Sequence, residues 1–181
     1  MLAVLAARWG LLLTRAALAL VFGLILVPWP EPTASGFVLA FGLYTLADGA
    51  VAAIVAFGMG AEERPASWFV EAVVRVGAGL LALAMPDVLS SALPLSLALW
   101  AGLSGLAHIG EAAALRRELT GQWPLPVASA LSLTMATWCV WQGADLPTLA
   151  RAMAVYLLLF FGVLMAFAHR MWQLAREMRK A

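Results

Sequence analysis

"TLADGAVAAIV" (residues 45–55), "WAGLSGLAHIGE" (100–111) and "LFFGVLMAFAHR" (159–170) each set a glycine inside an apolar helical stretch, at Gly49, Gly105 and Gly162. Gly49 and Gly105 are 56 residues apart, and Gly105 and Gly162 are 57 apart. The 56-residue shift also carries Gly23 onto Gly79 and Pro30 onto Pro86, while Trp68 and Trp123 stand 55 apart. Periods of this size mark a repeated supersecondary unit. Its nature follows from the surrounding text, which is apolar for about the length of a membrane crossing.

Composition leads to the same class. Hydrophobic residues make up 64% of the 181-residue chain and charged residues only 12%, with a mean hydropathy of +0.94. Soluble domains carry about twice that charged fraction, and a globule this small has too little interior to hide so much apolar surface from water. Breaks rich in Pro, Gly or charge fall at 28–35, 58–67, 85–87, 115–124 and 142–147. They leave six stretches, roughly 9–27, 35–57, 67–85, 91–113, 124–142 and 148–168, each near the ~20 residues a spanning helix needs. No alternating ten-residue pattern of a transmembrane strand occurs. The fold class expected is an all-α, polytopic membrane bundle of six transmembrane helices.

The helices pair into three repeats, at about 9–57, 67–113 and 124–168, followed by a basic helical tail at 169–181. The first helix of the unit closes on Gly-x6-Pro twice, as "GLILVPWP" (23–30) and "GLLALAMP" (79–86), and the third copy has drifted to "CVWQGADLP" (139–147). Each unit crosses twice, so successive copies keep one orientation and the repeats are parallel rather than inverted. Small residues four apart let helices approach closely in lipid. Ala98/Gly102 and Ala101/Gly105 fit that spacing, which makes Gly49, Gly102, Gly105 and Gly162 the expected packing positions, inside the bundle or at a dimer seam.

Orientation comes from Lys and Arg in the short loops. One side holds Arg8, Arg64, Arg116, Arg117, Arg170, Arg176, Arg179 and Lys180, and the other holds Arg151 with Glu31, Asp87 and Asp145. Eight against one puts both termini in the cytoplasm. The first segment reads as a retained span rather than a cleaved signal, because "MLAVLAARWG" lacks a basic residue ahead of its apolar start. Trp9, Trp29, Trp68, Trp123 and Trp172 fall at span ends, with Trp138 and Trp141 nearby, as an interfacial belt does. Trp100 alone lies well inside a span, where it packs, faces lipid or meets a pigment or quinone.

Six spans, odd helices ending Gly-x6-Pro, even helices with a late Gly, and "TGQWP" (120–124) opening the fifth span resemble the HdeD-like acid-resistance membrane proteins over nearly the whole chain. That resemblance implies a bacterial inner-membrane protein linked to acid or other stress, with no catalytic residues to carry over.

Chemistry belongs where ionisable groups enter the membrane, since a charge at mid-bilayer costs ~2.5–3.5 kcal/mol on insertion scales and usually has a partner or a purpose. Those groups are Arg15, Asp48, Glu71, Arg75, His108 and Glu111, all in the cytoplasmic half of spans one to four. Glu71 and Arg75 are i,i+4 with the acid first, the favourable order on one helix face. Tyr44 and Asp48 are also i,i+4, so the phenol can reach the carboxylate, and Ser104, His108 and Glu111 form one stripe. The expectation is one polar cluster among the first four spans, open toward the cytoplasm. Two readings of Asp48 stand side by side, a static ion pair with Arg15 or Arg75 and a proton or ligand site. Arg15 and Arg75 alternatively snorkel to the interface, and Glu111 alternatively sits at the water boundary.

The remaining signals point to little chemistry. His108 and Glu111 at i,i+3 are half of a carboxylate–histidine metal site with no second copy, so no metal and no cofactor are expected. His169, beside Arg170 at the end of span six, reads as an interfacial histidine. Cys139 is the only cysteine and forms no intramolecular disulfide. A net charge of +1 without interleaved basic and aromatic residues gives no support for nucleic acid. The basic tail suits a positive-inside stop or anionic headgroups.

Three functions fit. The favoured one is a non-enzymatic membrane protein, in stress tolerance or as an accessory subunit, whose partners are lipids and another membrane protein or a second copy. A small transporter or proton-linked channel is the alternative, and it needs polar groups in the outer half, where almost none occur. An intramembrane enzyme lacks a nucleophile–base pair or metal set.

Overall fold

The computed structural model describes residues 2–29, 31–58, 66–116, 123–142 and 145–180. Arg64, Arg117, Pro30 and most of "TGQWP" lie outside the described residues. Helices α1 (Leu2–Ala7), α2 (Trp9–Leu26), α3 (Ala34–Phe57), α4 (Ala66–Ala84), α5 (Pro86–Ser91), α6 (Leu93–Leu115), α7 (Pro124–Gln142) and α8 (Leu146–Met178) follow in order, with no strand among the described residues. Six of them, α2, α3, α4, α6, α7 and α8, are long and apolar enough to span a membrane. They coincide with the six stretches expected from the sequence.

Local signals set their ends. The Thr33 side chain accepts from the Gly36 N–H at 3.2 Å and caps α3, as Asp145 does from Thr148 N–H at 3.2 Å for α8. Pro86 stops α4 two residues earlier and opens α5, a short helix absent from the sequence expectation. So is α1, which lies against the far end of α8 and so brings both termini to one end of the molecule. Helix α8 has 33 residues. At 1.5 Å each it is about 50 Å long, roughly 20 Å more than the hydrocarbon thickness.

The closest packing lies between repeats rather than within them. Helix α3 pairs with α4, α6 with α7, and α8 returns to α2, which closes the six spans into a ring. Glycines permit these approaches. A Cβ on Gly49 would lie 2.7 Å from the Val76 backbone nitrogen, and one on Gly79 would lie 2.6 Å from that of Leu46. Gly105 and Gly23 back onto side chains instead, a Cβ there lying 2.9 Å from Leu133 and 3.1 Å from Leu158 respectively. Gly102 makes only an ordinary contact with Ala136, at 3.8 Å from its Cβ position, and Gly162 faces open space, with nothing within 4 Å. The repeat that singled out Gly162 therefore does not give it an intramolecular packing role.

Inside the ring are two apolar layers. The larger runs through Ala16, Phe41, Tyr44, Leu97, Trp100, Met153 and Phe160. The smaller, at the end bearing the termini, gathers Leu5, Leu12, Val55, Trp68, Leu115, Leu125, Phe167 and Met171. Along α2, α3, α4 and α6 the buried charged residues and His108 fall between the two.

Candidate functional site

Arg15 on α2, Asp48 on α3, Glu71 and Arg75 on α4, and His108 and Glu111 on α6 meet in one layer, each at most 2% exposed. Arg15 donates to Asp48 from Nε to Oδ1 at 2.8 Å and from Nη2 to Oδ2 at 3.3 Å. It also donates from Nη2 to Glu71 Oε1 at 2.5 Å. Arg75 donates to Asp48 Oδ2 from Nη1 at 2.6 Å, and to Glu71 Oε1 from Nε at 2.9 Å across the i,i+4 turn. Two guanidinium groups and two carboxylates thus form a closed four-membered ring of ion pairs that ties three helices together. Planar guanidinium donors suit such multidentate pairing.

His108 extends the network. Its Nε2 lies 3.5 Å from Arg75 Nη2 and its Nδ1 lies 3.2 Å from Glu111 Oε2. One potential ligand atom from each of Glu71, His108 and Glu111 falls within 4.8 Å of the others. A metal there would compete with Arg15 and Arg75 for the Glu71 carboxylate, whose Oε1 accepts from both.

Arg15 and Glu71 are related by the 56-residue shift (71 − 15 = 56), so one position in two successive repeats supplies the two ends of an ion pair. The further shift of 57 reaches Ala128, a small residue beside a cavity of ≈ 10 Å³ also lined by Arg15, Trp68, His108, Glu111, Pro124 and Phe167. That volume holds about one water.

Other expectations are corrected. The cluster is not open toward the end bearing the termini. Trp68, Leu125 and Phe167 close it there, and Trp68, read as part of the belt, is buried because its indole turns inward. Arg15 and Arg75 do not snorkel and Glu111 is not at the water boundary. Tyr44 does not donate to Asp48, whose oxygens are taken by the two arginines, and the Tyr44 hydroxyl and Ser104 Oγ have no partner among the described residues. Trp123 and Trp141 are exposed, as a belt requires. Trp100 is packed edge-on against Phe41 and Tyr156 and shows no face to lipid or pigment.

Sequence reasoning passed over a second layer. Tyr44, Trp100 and Tyr156 recur at 56-residue steps and are all buried just above the ion pairs. The Arg75 guanidinium lies 5.8 Å from the Trp100 ring centroid and 5.6 Å from that of Phe160, within cation–π range. Ser132 and Tyr156 share a buried hydrogen bond of 3.0 Å, and the Ser129 hydroxyl donates to the Gly105 carbonyl at 2.9 Å. Helices α7 and α8 therefore supply polar groups too, without charge. Applying the 56-residue shift to aromatic residues as well as glycines would have found the layer.

Fold and site together define a multi-pass helical membrane protein built from repeats around a sealed, charge-compensated polar layer. The family model described as "Short repeat of unknown function (DUF308)" matches residues 14–75 and 70–141, and the chain belongs to that family. The two matches begin 56 residues apart (70 − 14 = 56), the same shift that relates Gly23 to Gly79, and between them they contain all six cluster residues. No curated protein and no solved structure matches the chain.

Proposed function

We propose that this is a non-enzymatic protein of the bacterial inner membrane, with both termini cytoplasmic, that acts in stress tolerance through contacts with lipids and with another membrane protein or a second copy. The ion-pair ring is a lock that fixes the register of α2, α3 and α4 and does not conduct. One observation carries this reading: the cluster lies between two apolar layers, and the polar groups that adjoin it, Tyr44, Ser104, Ser129, Ser132 and Tyr156, are themselves buried. A transporter needs a polar path to both faces, and the two carboxylates of the ion-pair ring, Asp48 and Glu71, are held by both arginines rather than free to react. The resemblance to the HdeD-like proteins supports acid as the stress. The basic residues beyond the end of the sixth span, Arg170, Arg176, Arg179 and Lys180, support the orientation.

The test is survival of cells under acid challenge. Cells carrying the wild-type chain should outlast cells carrying an empty vector. A variant with the four locked charges replaced together (Arg15→Met, Asp48→Leu, Glu71→Leu, Arg75→Met) and present in the membrane at equal amount should protect as well. No protection by the wild type refutes the acid role. Protection by the wild type and none by an equally abundant variant means the charges do work of their own, and the transporter reading replaces this one.

A further inference from the structure

Glu111 forms no ion pair with an arginine among the described residues, unlike Asp48 and Glu71. Its Oε2 faces His108 Nδ1 at 3.2 Å, and its Oε1 is buried without a hydrogen-bond partner. The state of His108 follows from its other nitrogen. A guanidinium only donates, so Nε2, 3.5 Å from Arg75 Nη2, presents its lone pair there. The ring hydrogen is therefore on Nδ1, directed at Glu111 Oε2, and the imidazole is neutral. The charges that remain are Arg15 and Arg75 against Asp48 and Glu71, which sum to zero. An ionised Glu111 would leave one uncompensated negative charge in the sealed layer, with a Glu71 oxygen within 4.8 Å. It would also leave a charged oxygen buried without a donor.

We propose that Glu111 is a buried proton-binding site, its side chain held as a neutral carboxylic acid with the hydrogen on Oε1. The groups around it are Arg15 from α2, Asp48 from α3, Glu71 and Arg75 from α4, and His108 from its own helix. The residues of α7 and α8 that line the adjoining cavity, Pro124, Leu125, Ala128, Val163, Leu164 and Phe167, carry no charge. That cavity, with room for about one water, is where the proton would arrive or leave. Binding is the single step of carboxylate plus H⁺ giving carboxylic acid. A divalent cation in the same place would raise the sum of charges to +1 after ionising Glu111, whereas the proton leaves it at zero.

Infrared spectra of the purified protein at neutral pH, in H₂O and D₂O, test this. A C=O band of a protonated carboxylic acid that shifts on deuteration is expected in the wild type and absent in Glu111→Gln. Glutamine matches the neutral acid in shape, so this variant should keep a Tm close to wild type, whereas Glu71→Gln should lose about 10 °C. Absence of the band from the wild type, or its persistence in Glu111→Gln, overturns the assignment. So does a Glu111→Gln chain as unstable as Glu71→Gln. A Tm rise with added Zn²⁺ that Glu111→Gln abolishes would make the site a metal site instead. The lock itself survives any of these results, because Glu111 binds neither arginine.

Discussion

Replacing Asp48 with asparagine removes one charge and almost no volume from the centre of the lock. Asp48 accepts three hydrogen bonds, two from Arg15 at 2.8 and 3.3 Å and one from Arg75 at 2.6 Å. Asparagine offers one acceptor oxygen and turns an NH₂ group toward a guanidinium, so at least one charge-assisted bond is lost, worth ~1.5–3 kcal/mol. The layer is also left with two arginines against Glu71. Removing one partner from a buried pair costs ~3–5 kcal/mol. At ~2–4 °C per kcal/mol for a chain of this size, Tm should fall by about 6–20 °C. The assay is thermal unfolding in a mild detergent by circular dichroism, with Asp87→Asn, on exposed α5, as the matched control. Equal Tm values for Asp48→Asn and the control would refute the lock.

Other consequences are open to measurement. Replacing Arg15, Asp48, Glu71 and Arg75 together with Met and Leu should recover most of the Tm lost in Asp48→Asn, because an apolar core replaces the whole ion network and the single effects do not add. Gly49→Ala should destabilise by about 1–3 kcal/mol, since its Cβ would meet backbone that has no room to shift. Gly162→Ala, facing open space, should be neutral or stabilising by up to about 1 kcal/mol in the same melts. The Asp145 carboxylate, at the start of α8, is held below its usual range by the Thr148 side chain and by accepting from the Thr148 N–H. Its folded pKa is depressed, so its contribution is present above ~3.9 and lost as pH falls through the folded value. The Tm gap between wild type and Asp145→Ala should therefore close on acidification, and a gap that widens would be wrong in sign.

Much of this site was legible because charge in an apolar helix stands out against its neighbours. All six cluster residues were visible as exceptions to the hydropathy of their spans, and Glu71–Arg75 followed from helix spacing alone. What stayed hidden depends on contacts between distant segments. Trp68 sits at a span end, and only the packing of Leu125 and Phe167 shows that it turns inward as a seal. Tyr44 has the right spacing for Asp48, yet the carboxylate is filled by arginines from two other helices. Ring closure of α8 onto α2 joins the ends of the chain, and periodicity says nothing of it. Gly162 keeps the register of the repeat, yet nothing lies within 4 Å of its Cβ position, so no neighbour requires a glycine there.

A lock, unlike a pathway, requires the polar layer to be closed. Proton flux into liposomes reconstituted with the purified chain, under an imposed pH gradient and membrane potential, tests it most directly. The rate should equal that of empty liposomes for both the wild type and Asp48→Asn. Wild-type flux above that background, reduced in Asp48→Asn at equal protein content, would contradict it and make the layer part of a pathway.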